Sequence, residues 1–173
     1  MMSKRIVVVG GGAAGMMAAI CAAEQGGTVT LLEPNERLGK KLNITGKGRC
    51  NVTNDADLET LLANTPKNGK FLYSAFSRFD GRDAKAYFEK LGVPMKTERG
   101  NRVFPVSDRA FDISGALEKR LRTLKVSIVG PGGVFGYCGW KNSRSHRRKD
   151  CLPGRVGDFG YRRCVLSCYR LYR

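Results

Sequence analysis

The sequence predicts an α/β fold that opens on a strand–helix–strand unit, continues through helical and hairpin insertions, and leaves its sheet incomplete. Three observations predict it. Lys4 to Val9 is a short run dominated by Ile and Val, the pattern of a strand buried on both faces of a parallel sheet. Gly10-Gly11-Gly12 follows at once and leads into an Ala- and Met-rich stretch without proline, Ala13 to Gln25. That stretch reads as a helix, closed at its C-terminus by Gly26-Gly27. Thr28 to Leu32 is a second strand-forming run and ends at Glu33-Pro34. The chain has 173 residues, 42% of them hydrophobic and 27% charged, which is the composition of a globular protein with one domain or one domain and an appendage.

Further along, a glycine-rich connection runs from Gly39 to Asn54. Three helices are expected next, over Asp57–Leu62, Gly69–Phe79 and Arg82–Leu91. Met95–Thr97 and Arg102–Phe104 read as a hairpin around Arg99-Gly100-Asn101, and Asp112–Leu124 as a last helix capped by Ser107 or Asp108. There is no internal repeat. No run approaches the roughly 18 apolar residues of a membrane span. The four apolar residues Ile6 to Val9 are too few for a secretory signal, so the expectation is a cytoplasmic protein with no membrane partner.

Composition changes near residue 129. Residues 1–125 hold 21 Lys/Arg, 13 Asp/Glu and 13 alanines, whereas residues 126–173 hold 10 Lys/Arg, two acids and no Ala, Glu, Thr, Met or Gln. Four of the six cysteines, the one Trp and the one His lie in that tail. The net charge of +16 is therefore unevenly spread. The domain reading is 1–128 as the N-terminal part of an α/β domain and 129–173 as an irregular basic tail.

Gly10-Gly11-Gly12-Ala13-Ala14-Gly15 matches G-x-G-x-x-G and sits between a strand and a helix, the context its mechanism requires. Gly10 permits the tight turn, Gly12 admits a pyrophosphate to the backbone, and Gly15 lets the helix pack closely on the strand. The helix start, with Ala13 and Ala14, offers N–H groups and partial positive charge to an anion. Glu33 ends the second strand 18 residues after Gly15. A carboxylate there can accept both ribose hydroxyls of an adenosine and disfavours a 2′-phosphate. These features make the start Rossmann-like.

Beyond Glu33 the chain reads Lys41-Leu42-Asn43-Ile44-Thr45-Gly46-Lys47-Gly48-Arg49-Cys50-Asn51-Val52-Thr53-Asn54, and later Arg102-Val103-Phe104-Pro105-Val106-Ser107-Asp108-Arg109-Ala110. On these segments, together with the glycine corner and Leu32-Glu33, residues 4–125 resemble a bacterial family of FAD-dependent flavoproteins. Its members are NAD(P)/FAD-dependent oxidoreductases of the aminoacetone-oxidase-like and bile-acid-reductase-like kind. The Thr-Gly-Lys-Gly-Arg-Cys-Asn stretch is far more specific than the glycine fingerprint. The resemblance implies that Gly10, Gly12, Ala13, Ala14 and Gly15 hold the FAD diphosphate and Glu33 its adenosine ribose. It further implies that Lys41, Thr45, Gly46, Gly48, Arg49 and Asn51 line the way to the isoalloxazine, with NAD(P)H as reductant and a small molecule as substrate. Gly46 and Gly48 suit exposed backbone donors, and Lys41 and Arg49 suit neutralising charge on diphosphate or reduced flavin. Lys40 reads as a solvated residue, and Cys50, without a Cys-x-x-Cys partner, as a small buried side chain. No acid–base pair carries a catalytic assignment, and a flavoenzyme needs none.

The resemblance ends near Ile128. Read one base later, the codons allowed for Asp158 to Arg173 admit an Ile-Leu-Ala-Thr-Gly-Gly continuation typical of the family. The tail is therefore expected to be a frameshifted translation, which predicts weak flavin retention and poor solubility for a sheet with unpaired edges. Two rival readings of the tail stand beside it. Cys138, His146, Cys151, Cys164 and Cys168 suggest zinc but form no Cys-x-x-Cys knuckle, so no metal site is assigned. Tyr161, Tyr169 and Tyr172 among arginines suggest a nucleic-acid-binding arm on a non-catalytic nucleotide-binding module, the lesser alternative.

Overall fold

A computed structural model of the chain describes residues 4–130. In chain order the elements are β1 (Arg5–Val9), α1 (Ala13–Glu24), β2 (Thr28–Leu32), a 3₁₀ segment over Leu42–Gly48, β3 (Thr53–Asn54), α2 (Leu58–Ala63), α3 (Gly69–Phe76), α4 (Gly81–Lys90), β4 (Met95–Glu98), β5 (Arg102–Pro105), α5 (Ala110–Thr123) and β6 (Ser127–Val129). They fall into two units, one of Met1–Lys40 with Arg120–Arg173 and one of Lys41–Lys119. The readings of the tail as a frameshift, a zinc cluster or a nucleic-acid arm lie outside the described residues.

The first unit is built on a parallel sheet of order β1-β2-β6. Val7 stands opposite Thr30, and Thr30 opposite Ser127. Helix α1 makes the crossover and packs on β1 and β2. Its Met16, Ala19 and Ile20 are buried, at the spacing that puts them on one helical face. They meet Val8, Val29 and Leu31, also buried. The helix ends where the glycines predicted: Gly26, at φ +80°, and Gly27 donate back to the carbonyls of Ala23 and Ala22. β1 is less covered than its sequence pattern suggests. Only Val8 is fully buried and Val9 remains 37% exposed, because among the described residues β1 pairs with β2 alone.

The second unit holds an antiparallel sheet of order β3-β5-β4. The expected hairpin is present, with Glu98 opposite Arg102 and a turn in which Gly100 and Asn101 take φ +77° and +57°. Side-chain caps set two helix starts. The Asp57 carboxylate accepts the Thr60 N–H at 2.8 Å, and Asp80 and Asp83 form a reciprocal capping box at the start of α4. Gly81 lets α4 lie close to β3, since a Cβ there would stand 1.9 Å from the Asn54 carbonyl oxygen. The helix expected over Gly69–Phe79 stops at Phe76. α5 begins at Ala110, so neither Ser107 nor Asp108 occupies the residue before it. Ser107 Oγ instead accepts the Arg109 N–H at 3.3 Å, and the Asp108 carboxylate is engaged elsewhere. Among the described residues no helix is long and apolar enough to cross a membrane.

Candidate dinucleotide-binding site

The four glycines of the β1–α1 corner stand in four different surroundings. Gly10 takes φ +99° and donates its N–H to the Leu32 carbonyl at 2.7 Å, turning the chain out of the strand. A Cβ on Gly11 would stand 2.4 Å from Leu38 Cδ2 and 3.0 Å from Glu33 Oε2. A Cβ on Gly15 would stand 1.8 Å from the Gly10 carbonyl oxygen, so the helix can approach the strand only without one.

Gly12 differs from all three. Its backbone (φ −76°, ψ −178°) is open to any residue, and a Cβ there meets no protein atom within 4 Å. Neither the backbone angles nor the surrounding protein atoms require a glycine at this exposed position. Gly12 also stands at the N-cap of α1 without a side-chain cap, and the first turn carries no acid. The helix dipole at this end favours an anion.

Glu33 stands beside the corner and is only 7% exposed. Its Oε2 accepts the Gly11 N–H at 2.6 Å, and its Oε1 accepts the backbone N–H of Asn35 at 2.8 Å and Asn35 Nδ2 at 2.5 Å. Lys40 Nζ reaches Asn35 Oδ1 at 3.4 Å, and the Gly11 carbonyl accepts the Gly39 N–H. The structure thus brings Gly10, Gly12, Ala13, Ala14, Gly15 and Glu33 together in the first unit. Asn35 was missed by sequence reasoning, because nothing in its spacing announces that it holds the acid two residues earlier.

In the second unit the other predicted residues follow one another along an exposed segment. Lys41 precedes the 3₁₀ turns and is exposed, as are Thr45, Gly46, Gly48 and Asn51. The backbone from Gly46 to Gly48 is left-handed (φ +56°, +59°, +85°), and Cys50 is left-handed too. Two of these residues, Lys47 and Cys50, are not glycine, a conformation that costs on the order of 1 kcal/mol each and recurs at functional segments. At Gly46 a Cβ would stand 2.9 Å from the Asn51 backbone nitrogen. Thr45 closes the turn: its carbonyl accepts the Cys50 N–H at 3.0 Å. Cys50 is buried, as expected, and burial pushes its thiol pKa up, partly offset by a hydrogen bond with Thr45.

Arg49 holds this segment to the hairpin. Its guanidinium lies 4.2 Å over the Phe104 ring, donates from Nε to Asp108 Oδ1 at 2.8 Å, and pairs with Glu98. Lys96 Nζ completes a ring of alternating charge, 2.7 Å from Asp108 Oδ2 and 3.4 Å from Glu98 Oε1. Hydrogen bonds from Arg49 hold the Glu98 carboxyl below the usual range, and those from Lys96 and then Arg49 do the same for Asp108. Lys96 and Arg49 are correspondingly held protonated beyond their ordinary values. Glu98 and Lys96 also escaped sequence reasoning, since Glu98 lies 49 residues from Arg49 and Lys96 12 from Asp108, separations that leave no local pattern.

Among the described residues no cluster of three or more metal-ligating side chains exists. An open cavity of about 570 Å³ beside α2 and α3, lined by Leu62, Ala63, Gly69, Lys70 and Tyr73, contains none of the predicted site residues.

A glycine corner of this construction, on a parallel sheet with an acid at the tip of the second strand, defines a dinucleotide-binding domain of the Rossmann class. Within that class the chain belongs to the HI0933-like family: residues 4–140 match the model of the HI0933-like protein Rossmann domain. The resemblance to FAD-dependent flavoproteins drawn from residues 41–54 and 102–110 is thereby borne out. A 3-dehydro-bile acid delta(4,6)-reductase of Clostridium scindens is 39% identical over 101 residues, which are 58% of this chain and 24% of that protein. The chain thus spans about a quarter of the length of this curated relative. Among solved structures, THI4 of Thermovibrio ammonificans is similar with a TM-score of 0.47 and 12% identity, over 74% of this chain and 37% of that one. The Diels-Alderase PyrE3 of pyrroindomycin biosynthesis has a TM-score of 0.43 and 17% identity, over 75% of this chain and 25% of that one.

Proposed function

We propose that this chain is the FAD-binding portion of a flavoprotein oxidoreductase. In this reading the corner Gly10, Gly12, Ala13, Ala14 and Gly15 holds the cofactor diphosphate, and Glu33 binds the adenosine ribose. Lys41, Thr45, Gly46, Gly48, Arg49 and Asn51 serve the part of the cofactor nearer the flavin ring. Membership of the family and the reductase named above support the reading. The observation that carries it is Gly12, a glycine that neither the backbone angles nor the surrounding atoms require.

Bound flavin supplies the hydride or electron transfer. The chain's own residues do the rest. The N-terminal amides of α1 and the helix dipole neutralise part of the diphosphate charge. The carboxylate of Glu33 favours a free ribose diol over a 2′-phosphate, by charge repulsion. In the second segment, Arg49 acts from within its carboxylate ring, which keeps the left-handed turn at residues 46–50 in one shape. NAD(P)H as reductant, a small organic molecule as substrate and a cytoplasmic location belong to the same proposal, as does a domain boundary near residue 129 with a frameshifted tail. Sequencing the coding DNA tests that last point: a frame that runs cleanly through residues 129–173 ends it.

The cofactor reading is tested by titrating the purified chain with FAD and with ADP, beside a Gly12→Ala variant. An added methyl at Gly12 touches no protein atom, so the variant is expected to melt with a loss below about 1 kcal/mol, the scale of an N-cap change. Its affinity for both ligands is expected to fall at least about tenfold, the scale of one lost charge-assisted hydrogen bond. Undiminished affinity in that variant would overturn the assignment.

A further inference from the structure

Resting on the proposed function, we infer that Arg49 is a positioning residue rather than the charge that meets the cofactor. Glu98, Asp108 and Lys96 take up its guanidinium charge. The ring they form fixes the turn at residues 46–50 in the shape that receives the flavin half of FAD.

All the groups concerned lie in the second unit. Arg49 Nη2 stands 2.7 Å from Asp108 Oδ1, Nε donates to the same oxygen at 2.8 Å, and Nη2 also pairs with Glu98. One face of the guanidinium lies on the Phe104 ring. Lys96 bridges both carboxylates. The ring holds two cations and two carboxylates, so it carries no net charge. An anion approaching the turn meets a balanced cluster, whose pull falls off faster than that of a lone cation. Lys41 and Lys47 are exposed on the same segment and stand outside the ring. They are the cations this segment leaves for a diphosphate.

What the ring does have is a grip on the turn. The Arg49 N–H donates to the Gly46 carbonyl at 3.2 Å and the Cys50 N–H to the Thr45 carbonyl at 3.0 Å, so the guanidinium is anchored where the turn closes. Phe104 lies beneath both ends: it is 4.2 Å from the guanidinium, and a Cβ on Gly46 would stand 3.2 Å from its Cε1. Beyond the turn, the Val52 N–H donates to the Val103 carbonyl at 2.9 Å. Residues 46–48 are left-handed throughout, and the 3₁₀ segment they belong to buries no residue. Its shape therefore depends on these anchors.

Positioning and direct contact predict opposite effects for one substitution. FAD and ADP are titrated into the full chain and into Glu98→Gln, Arg49→Gln and the double variant. ADP lacks the flavin half and reports on the β1–α1 corner alone. Glu98→Gln loosens the ring yet leaves Arg49 less compensated. It is expected to bind FAD about fivefold or more weakly, with ADP within about twofold of wild type. A guanidinium that met the cofactor would be freed by the same change, so unchanged or tighter FAD binding would overturn the inference. Arg49→Gln is expected to lose about tenfold for FAD, because it strands a carboxylate. The double variant should lose no more than Arg49→Gln alone; single losses that multiply in the double variant would mark a direct contact instead.

Amide protection in the ligand-free chain supplies a second readout. Arg49→Gln is expected to lower it at residues 46–50, and undiminished protection there would end the positioning role even if FAD affinity fell. Equal losses of FAD and ADP would end it too, since the effect would then not be confined to the flavin half. Should Arg49→Gln fail to fold, Glu98→Gln decides alone. Failure of the wild-type chain to bind either ligand would remove the proposed function and this inference with it.

Discussion

Gly12 and Gly15 stand three residues apart in opposite surroundings. A methyl at Gly15 would stand 1.8 Å from the Gly10 carbonyl oxygen, whereas one at Gly12 would meet no protein atom within 4 Å. Gly15→Ala is therefore expected to destabilise the first unit by at least about 1–3 kcal/mol, as overpacking does. Thermal melts of this variant beside Gly12→Ala check the contrast; equal losses would contradict it. The close packing at Gly15 was legible in the sequence, because the strand before it and the helix after it fix what that position must do. Asn35 was not legible. Its importance arises only once the Glu33 side chain turns inward toward Gly11, a choice made by three-dimensional packing.

The turn at residues 45–50 is shaped by the ring of Arg49, Glu98, Lys96 and Asp108, which joins it to β4 and to the segment after β5. The pH dependence follows from the directions of the shifts. Glu98 and Asp108 have depressed folded pKa values, so their contribution is complete above the ordinary carboxylate pKa of about 4 and is lost as pH falls through the lower folded values. Arg49 and Lys96 are raised, so theirs is complete below their ordinary values and fades only as pH rises through the higher ones. Protection of the amides at residues 46–50, taken relative to their intrinsic exchange rate at each pH, is expected to stay flat across neutral pH and to fall in acid. Glu98→Gln should lower that protection at neutral pH and reduce its acid response; an unaltered profile would show that the ring does not hold the turn. At the start of α4, Asp80→Ala is expected to cost about 1 kcal/mol through loss of the capping box, measured by chemical denaturation.

The starts of α2 and α4, at Leu58 and Gly81, lie within one residue of the expected Asp57 and Arg82. β3 and β6, two and three residues long, carry no period to read and appear only through their partners. The 3₁₀ turns over Leu42–Gly48 escaped for a related reason: a glycine-rich stretch has no side-chain pattern.

The α/β class of the whole chain could be read from its first 33 residues, since a strand, a glycine corner, a helix and a second strand admit few arrangements. The order of the sheet could not, because its third strand arrives from beyond the second unit. Among the described residues β2 is the strand of the parallel sheet paired on both sides, so its amides are expected to exchange most slowly within that sheet, with every second amide of β1 exchanging fast. Uniform protection across β1 would mean that its other edge is also bonded.

The same topology bears on synthesis. β2 ends at Leu32 and β6 begins at Ser127, so a ribosome working at roughly 5–20 residues per second delivers the third strand roughly 5–20 seconds after the second. Through that interval the nascent β1–β2 pair has an open flank on the side where β6 will dock, and the whole of the second unit leaves the exit tunnel in between. Chaperone capture of this chain, if it occurs, should fall in that window.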